Sequence, residues 1–306
     1  MQNTAIKFEA GSEQWHAERR LGIGGSDMAA VLGLSKWKTP YQIYLEKIGE
    51  AEDQEENWAM AQGKCMEPLL RQHFANTTGL EVRLPTSAIV HPKYSFIRYN
   101  PDGLSDPKIL AEFKTARFST EWGESNTDQI PQEYIIQVQT GLACLDFEVA
   151  KCSVSIGGGE PKYYEVPRDK ELQEMIEEGA AAFWDRVVNR TPPDPVDNED
   201  CSRIFRKVNG KSIIADAEIN DAVIDLCELR SKIKEDEEYK ETLEVQIKSF
   251  MAENEILINS NGVPIITWKQ QKGSRRIDGD ALRTNYPDIA AAVTNIGDPT
   301  RRFLVK

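Results

Sequence analysis

The run Asn100-Pro101-Asp102-Gly103-Leu104-Ser105-Asp106-Pro107-Lys108-Ile109-Leu110-Ala111-Glu112-Phe113-Lys114 constrains this chain more than any other stretch. Phe96 to Tyr99 before it is apolar and aromatic, fit for a strand. Ser105 to Lys108 has Asp and Pro where turns want them, and Ile109 to Thr115 reads as a second strand. The pattern predicts a hairpin with Asp102 across the turn from its second strand. Side chains two apart on a strand share a face, so Glu112 and Lys114 project together. Two carboxylates and one lysine converging at the end of a short sheet are suited to hold a hard divalent cation and activate a water. Glu-x-Lys on a solvated strand face is more commonly a weak ion pair. The spacing from Pro101-Asp102 singles this one out.

That spacing resembles the signature of the PD-(D/E)xK metal-nuclease superfamily. The resemblance implies an α/β fold with a restriction-endonuclease-like core. A mixed central sheet would be flanked by helices, followed here by a helical plus β-hairpin C-terminal extension.

Composition sets the frame. The chain has 306 residues, 40% of them apolar, enough for one large or two modest domains with a real core. There is no run of eighteen apolar residues, so no membrane span is expected. No secretory signal pattern is visible in the first residues. The five cysteines are scattered, without a Cys-x-x-Cys pair. This fits reduced thiols in a cytoplasmic setting and argues against a zinc or iron–sulfur site. The net charge is −13, and the whole excess lies in residues 1–200, with 20 Lys+Arg against 33 Asp+Glu. A broad basic face for nucleic acid is therefore not expected. Contact with DNA would depend on a few placed basic groups, with bound cations reversing the local sign of the carboxylates.

Taken in order, Ser12 is expected to cap a first helix. Gly24-Gly25-Ser26-Asp27 then precedes a second, with no strand expected before it. This excludes a dinucleotide fingerprint and leaves either an anion pocket or an ordinary capped loop. Thr39-Pro40 opens another helix. A long helix is expected over 57–78, with Met60, Leu69, Leu70 and Phe74 on its apolar side, Glu67 mid-way, and a bend or restart at Pro68. Short strands follow over 81–84 and 88–90. Residues 117–127 read as a mobile connection. A helix over 131–145 places Tyr134, Gln137 and Gly141 on one face, and a hairpin turns at Gly157-Gly158-Gly159. An amphipathic helix over 168–190 is expected to turn Met175, Ile176, Phe183 and Trp184 inward. The expected organisation is a domain over 1–190, a Pro-rich acidic linker over 191–200, and an extension over 201–306. The extension holds a long helix from 219 to 251 with a partial heptad, an Asn-Gly hairpin and a basic tail.

Several separated pieces then agree. Trp15-His16, Arg19, Gly24-Gly25-Ser26-Asp27, Gly63 with Glu67, Asp102, Glu112-Phe113-Lys114 and Tyr134-x-x-Gln137-x-Gln139 stand in the order found in YqaJ-type viral recombinases, the phage alkaline exonucleases. Residues 11–170 resemble that family. The resemblance implies a Mg²⁺-dependent exonuclease, with Mn²⁺ as a substitute. It would degrade one strand of duplex DNA 5′→3′ and leave 3′ overhangs for a single-strand annealing protein. It also implies roles. Asp102, Glu112 and the Phe113 carbonyl would bind metal, and Glu67 a second metal or its water shell. Lys114 would orient and activate water, and Gln137 would position the lysine or the phosphate. Arg19 and Ser26 would take the 5′-phosphate. A toroidal trimer and a phage or prophage origin in a bacterial host cytoplasm belong to the same expectation. Two alternatives stay open: an endonuclease on the same fold, and a non-catalytic DNA-end or protein-interaction module.

Overall fold

The computed structural model describes residues 17–51, 57–295 and 300–305. Ser12, Trp15 and His16 lie outside them. The chain divides into two compact units, Met1–Phe205 and Arg206–Lys306.

The first unit is a mixed α/β core. Its elements are β1 (Ile23–Gly24), α1 (Gly25–Val31), α2 (Pro40–Ile48), α3 (Trp58–Thr78), β2 (Ile89–Val90), β3 (Ile97–Tyr99), β4 (Gly103–Ser105) and β5 (Ile109–Ala116). They continue with α4 (Gln132–Leu145), β6 (Val149–Ile156), β7 (Lys162–Pro167), α5 (Lys170–Val188) and α6 (Asn198–Ile204). One sheet has the order β4-β5-β6-β7 and a second the order β1-β3-β2. The expected hairpin is corrected here. β5 pairs antiparallel with β4, not with the strand at 96–99, which belongs to the other sheet. Pro101 has no N–H for a ladder, so the chain leaves one sheet at Tyr99 and enters the next at Gly103. A short strand also precedes Gly25, contrary to expectation. Ile23 and Gly24 run parallel to Ile97 and Arg98.

β5 and β6 are parallel over eight residues each, joined through α4. A parallel pair requires such a crossover. Burial along β5 runs through Phe113, and Lys114 to Ala116 are half-buried. The strand therefore emerges at its C-terminal end. The two faces of β5 meet different layers. Ala111 and Phe113 pack with Leu70 and Phe74 of α3, whereas Leu110 joins the main core with Ile136 and Leu142 of α4.

Local chemistry explains the helix ends. Thr39 and Gln42 form a capping box before Pro40, and Gly49 closes α2 with φ of 76°. Asn57 caps α3. That helix does not restart at Pro68. Proline deletes one backbone hydrogen bond, and burial of Leu70 and Phe74 holds the rest in place. Met60 and Leu69 are exposed, so the apolar face is narrower than expected. The strand expected at 81–84 is reduced to an Arg83–Leu104 bridge. The connection at 117–127 is packed rather than loose. Trp122 packs with tilted rings against Tyr134 and Tyr164 at 5.5 and 5.3 Å, and Tyr164 Oη donates to the Gly123 carbonyl at 3.0 Å. On α5, Met175 faces solvent while Ile176 and Phe183 are buried.

The stretch expected as a linker is tied to the first unit. Asp200 is buried and accepts from Thr39 Oγ1 at 2.9 Å and from Val196 N at 3.2 Å. The second unit holds α7 (Ala217–Met251), the antiparallel pair β8 (Ile256–Ile258) and β9 (Pro264–Thr267), α8 (Gly279–Asn285) and α9 (Pro287–Val293). Gly262, in the Asn-Gly turn, has φ of 78°, a value glycine adopts without strain. Among the described residues no helix is long and apolar enough to cross a membrane.

Candidate active site

Asp102 lies between Pro101 and β4, and its Oδ2 accepts the backbone N–H of Phe113 at 3.0 Å. That bond fixes the carboxylate beside the middle of β5. Glu112 points from β5 into the core and is 1% exposed. Three donors reach it. Lys114 Nζ and Gln137 Nε2 donate to Oε1, and Tyr99 Oη donates to Oε2 at 2.7 Å. Lys114 Nζ also stands 3.9 Å from Asp102 Oδ2 and 5.5 Å from the Tyr134 ring centre. The structure thus brings Asp102, Glu112, Lys114 and Gln137 into one network. Tyr99, which the sequence offered only as a strand aromatic, is its fifth member.

Electrostatics set the protonation. Burial, then the nearby Asp102 charge, push the Glu112 carboxyl up to about 7, although Lys114 and Tyr99 oppose the shift. Burial opposes the charge on Lys114, but Glu112 and Asp102 outweigh it and hold the ammonium above its usual range. Burial and Glu112 keep the Tyr99 phenol neutral well past its ordinary value.

Glu67 is not gathered with the other carboxylates. Its helical neighbours Gly63 and Arg71 face Thr115 and the Phe113 ring. These side chains project opposite to Glu112 and Lys114. Glu67 Oε1 accepts from Arg71. Among the described residues no three His, Cys, Asp or Glu side chains form a metal-binding group.

The donor set still fits a hard divalent cation. Burial of Glu112 and the half-buried Asp102 charge beside it together raise the Glu112 carboxyl, and a positive charge, Lys114, already reaches both carboxylates. Magnesium sites commonly use one or two carboxylates and complete the shell with water and phosphate oxygens. Asp102 and Glu112 would hold the ion, with the Phe113 carbonyl as the main-chain ligand expected beside them.

A cleft of 1940 Å³ opens beside this network, lined by Tyr134, Gln137 and Thr115. Gln137 connects the two, since it lines the cleft and donates to Glu112. Arg19 and Ser26 also line it, as do Trp37 and Trp58. Five basic side chains (Arg19, Arg20, Lys38, Lys47 and Arg117) face three acidic ones (Asp27, Glu46 and Glu133). The cleft therefore carries positive charge in a chain of net charge −13. Asp27 is no helix cap. It is buried, and it accepts from Arg19 through Oδ1 and from Lys47 through Oδ2 at 2.7 Å. Burial would raise its carboxyl, but Lys47 and Arg19 outweigh it and hold it well below the usual range. No local pattern signals this pair, because the partners lie on separate elements.

Fold and site together define a PD-(D/E)xK-type core. The architecture is similar to that of an alkaline exonuclease from Laribacter hongkongensis. The match has a TM-score of 0.50 and 24% identity, and covers 59% of this chain and 94% of that one. The YqaJ-like viral recombinase domain matches residues 14–148. The uncharacterized protein YqaJ of Bacillus subtilis is 33% identical over 315 residues, covering 99% of this chain and 96% of that protein. The chain belongs to the YqaJ-like viral recombinase family. A more distant relative is protein D345L of African swine fever virus (strain Badajoz 1971 Vero-adapted), 27% identical over 158 residues. That match covers 43% of this chain and 45% of the viral protein.

Proposed function

We propose that this protein is a divalent-metal-dependent exonuclease. It degrades one strand of duplex DNA from the 5′ end and leaves 3′ single-strand overhangs for an annealing protein. The observation that carries the reading is the Asp102–Glu112–Lys114 network beside a cleft of positive character. Family membership and the likeness in fold to an alkaline exonuclease support it.

The roles follow from the chemistry of phosphodiester hydrolysis. Bound at Asp102 and Glu112, Mg²⁺, or Mn²⁺ in its place, would supply Lewis-acid activation of water and neutralise charge on the phosphate. Lys114 is held protonated, so it orients the attacking water and offers a fixed positive charge to the phosphate oxygens. Gln137 fixes the Glu112 carboxylate from the cleft side. Tyr99 fixes it from the core side. Arg19, held by Asp27, and the exposed Ser26 both line the cleft and would receive the 5′-phosphate. Trp37 and Trp58 are exposed at the cleft and offer ring faces to unpaired bases. Glu67, which accepts from Arg71, would act at a second metal or its water shell.

The test uses linear duplex labelled at either the 5′ or the 3′ end, with Mg²⁺ or with EDTA. The expected result is Mg²⁺-dependent loss of 5′ label with 3′ label retained in a long single strand. A parallel incubation with covalently closed circular DNA is expected to leave it intact. Cutting of the circle, or end binding without degradation in Mg²⁺, overturns the exonuclease reading.

A further inference from the structure

The long helix of the second unit presents apolar side chains to solvent. α7 runs for 35 residues. Written as heptads from Leu226 at position a, its a and d positions are Leu226, Leu229, Ile233, Asp236, Lys240, Leu243, Ile247 and Phe250. Six of these eight are apolar. Leu229, Ile233, Leu243 and Phe250 are 56%, 48%, 39% and 77% exposed. Such a seam on a charged helix calls for a second helix.

The charges say which helix it is. Two copies of α7 laid antiparallel, with Asp236 opposite Lys240, set Ile233 against Leu243, Leu229 against Ile247 and Leu226 against Phe250. Every a position then meets a d position, and the pattern maps onto itself under a two-fold rotation. This is the requirement for an isologous interface. Parallel helices in register would set Asp236 on Asp236 and Lys240 on Lys240. Sliding the antiparallel pair by one heptad would set each charge against Ile or Leu: Asp236 against Ile233 or Ile247, and Lys240 against Leu229 or Leu243. The polar layer therefore selects both orientation and register. Outside the seam, Arg230 at position e stands across from Glu244 of the partner subunit. The opposing term is Glu237, which meets its own copy at the axis.

We infer that α7 pairs with α7 of a second copy of this chain as an antiparallel coiled coil over residues 226–250, about 36 Å of helix. The inference does not rest on the nuclease reading, and a two-fold seam differs from the three-fold contact of a toroidal trimer.

The test is the solution mass of the full chain by light scattering after gel filtration, for four proteins. The wild type is expected at an even number of chains. Asp236→Lys alone and Lys240→Asp alone each place like charges in the central layer and are expected to halve that mass. The double variant Asp236→Lys/Lys240→Asp restores opposite charges and the wild-type mass. Both positions are solvent-facing, so far-ultraviolet circular dichroism is expected to show unchanged helix content. A monomeric or odd-numbered wild type overturns the inference. So do single variants of unchanged mass, or a double variant that stays dissociated.

Discussion

Tyr99 donates its hydroxyl to Glu112 Oε2 at 2.7 Å inside the core, with both residues 1% exposed. Tyr99→Phe leaves that oxygen buried without a donor, a loss of about 1–3 kcal/mol. If the loss falls on the reaction, kcat drops roughly 10-fold or more. KM for duplex ends stays near the wild-type value, because Tyr99 does not line the cleft. Steady-state kinetics on blunt duplex checks this. A rise in KM at unchanged kcat would place Tyr99 in substrate binding instead.

Lys114→Ala removes the charge between Asp102 and Glu112. Loss of one such electrostatic group typically costs about 10²–10³ in rate. Nucleotide release under single-turnover conditions is expected to fall by that order while the melting profile stays cooperative. Wild-type activity in this variant would show that the site is wrongly assigned.

Asp27→Asn takes the carboxylate from Lys47, whose side chain is 1% exposed. Breaking a buried pair in this way destabilises by about 3–5 kcal/mol. The effect is pH-dependent with a definite sign. The Asp27 carboxyl is depressed below its ordinary 3.8 in the folded state. Its contribution is fully present above that value and is lost as the pH falls below it. Urea unfolding is therefore expected to separate variant and wild type widely at neutral pH and to bring them together in strong acid. An equal gap at both extremes would show that the ion pair is not the cause.

The five cysteines divide by burial. Cys65, Cys201 and Cys227 are exposed, and Cys144 and Cys152 are buried. Burial, helped by the Glu177 charge, pushes the Cys144 thiol up to about 12, and burial raises Cys152 as well. Because the thiolate is the reactive form, three thiols are expected to react with a disulfide reagent in the native protein at mildly alkaline pH. The other two should react only in denaturant. A fourth fast thiol would mean that the core around α4 or β6 opens readily.

Much of the site was legible because it is local. Asp102, Glu112 and Lys114 lie within thirteen residues, and strand alternation alone puts Glu112 beside Lys114. The strand facing them was not legible. The run 96–99 is a better strand by composition than Gly103-Leu104-Ser105, yet Pro101 diverts the chain and the weaker segment pairs with β5. Pairing is decided by where the backbone can go, which residue preference does not report. Tyr99 and the Asp27–Lys47 pair were missed for a related reason. Their partners come from distant elements, and a buried polar contact leaves no periodic trace. Long α7 and the Asn-Gly hairpin were readable in the same local way. The hold of Asp200 on Thr39 was not, since an acidic Pro-rich stretch looks the same whether it is solvated or folded back.

Two glycines give the Tyr99–Glu112 contact a wider meaning. A Cβ on Gly25 of α1 would lie 2.4 Å from the Tyr99 ring, and one on Gly141 of α4 would lie 2.5 Å from it. The ring is clasped between two helices that touch it with bare backbone. Gly25 is next to Ser26 at the cleft, and the Tyr99 hydroxyl ends on the carboxylate proposed to hold metal. One rigid aromatic plate thus spans the distance from where a DNA end would be received to where it would be cut. A shift of α1 as small as one methyl group would be felt at Glu112. The proposed end capture and the proposed hydrolysis would in that sense be two ends of one lever, joined through the Tyr99 ring.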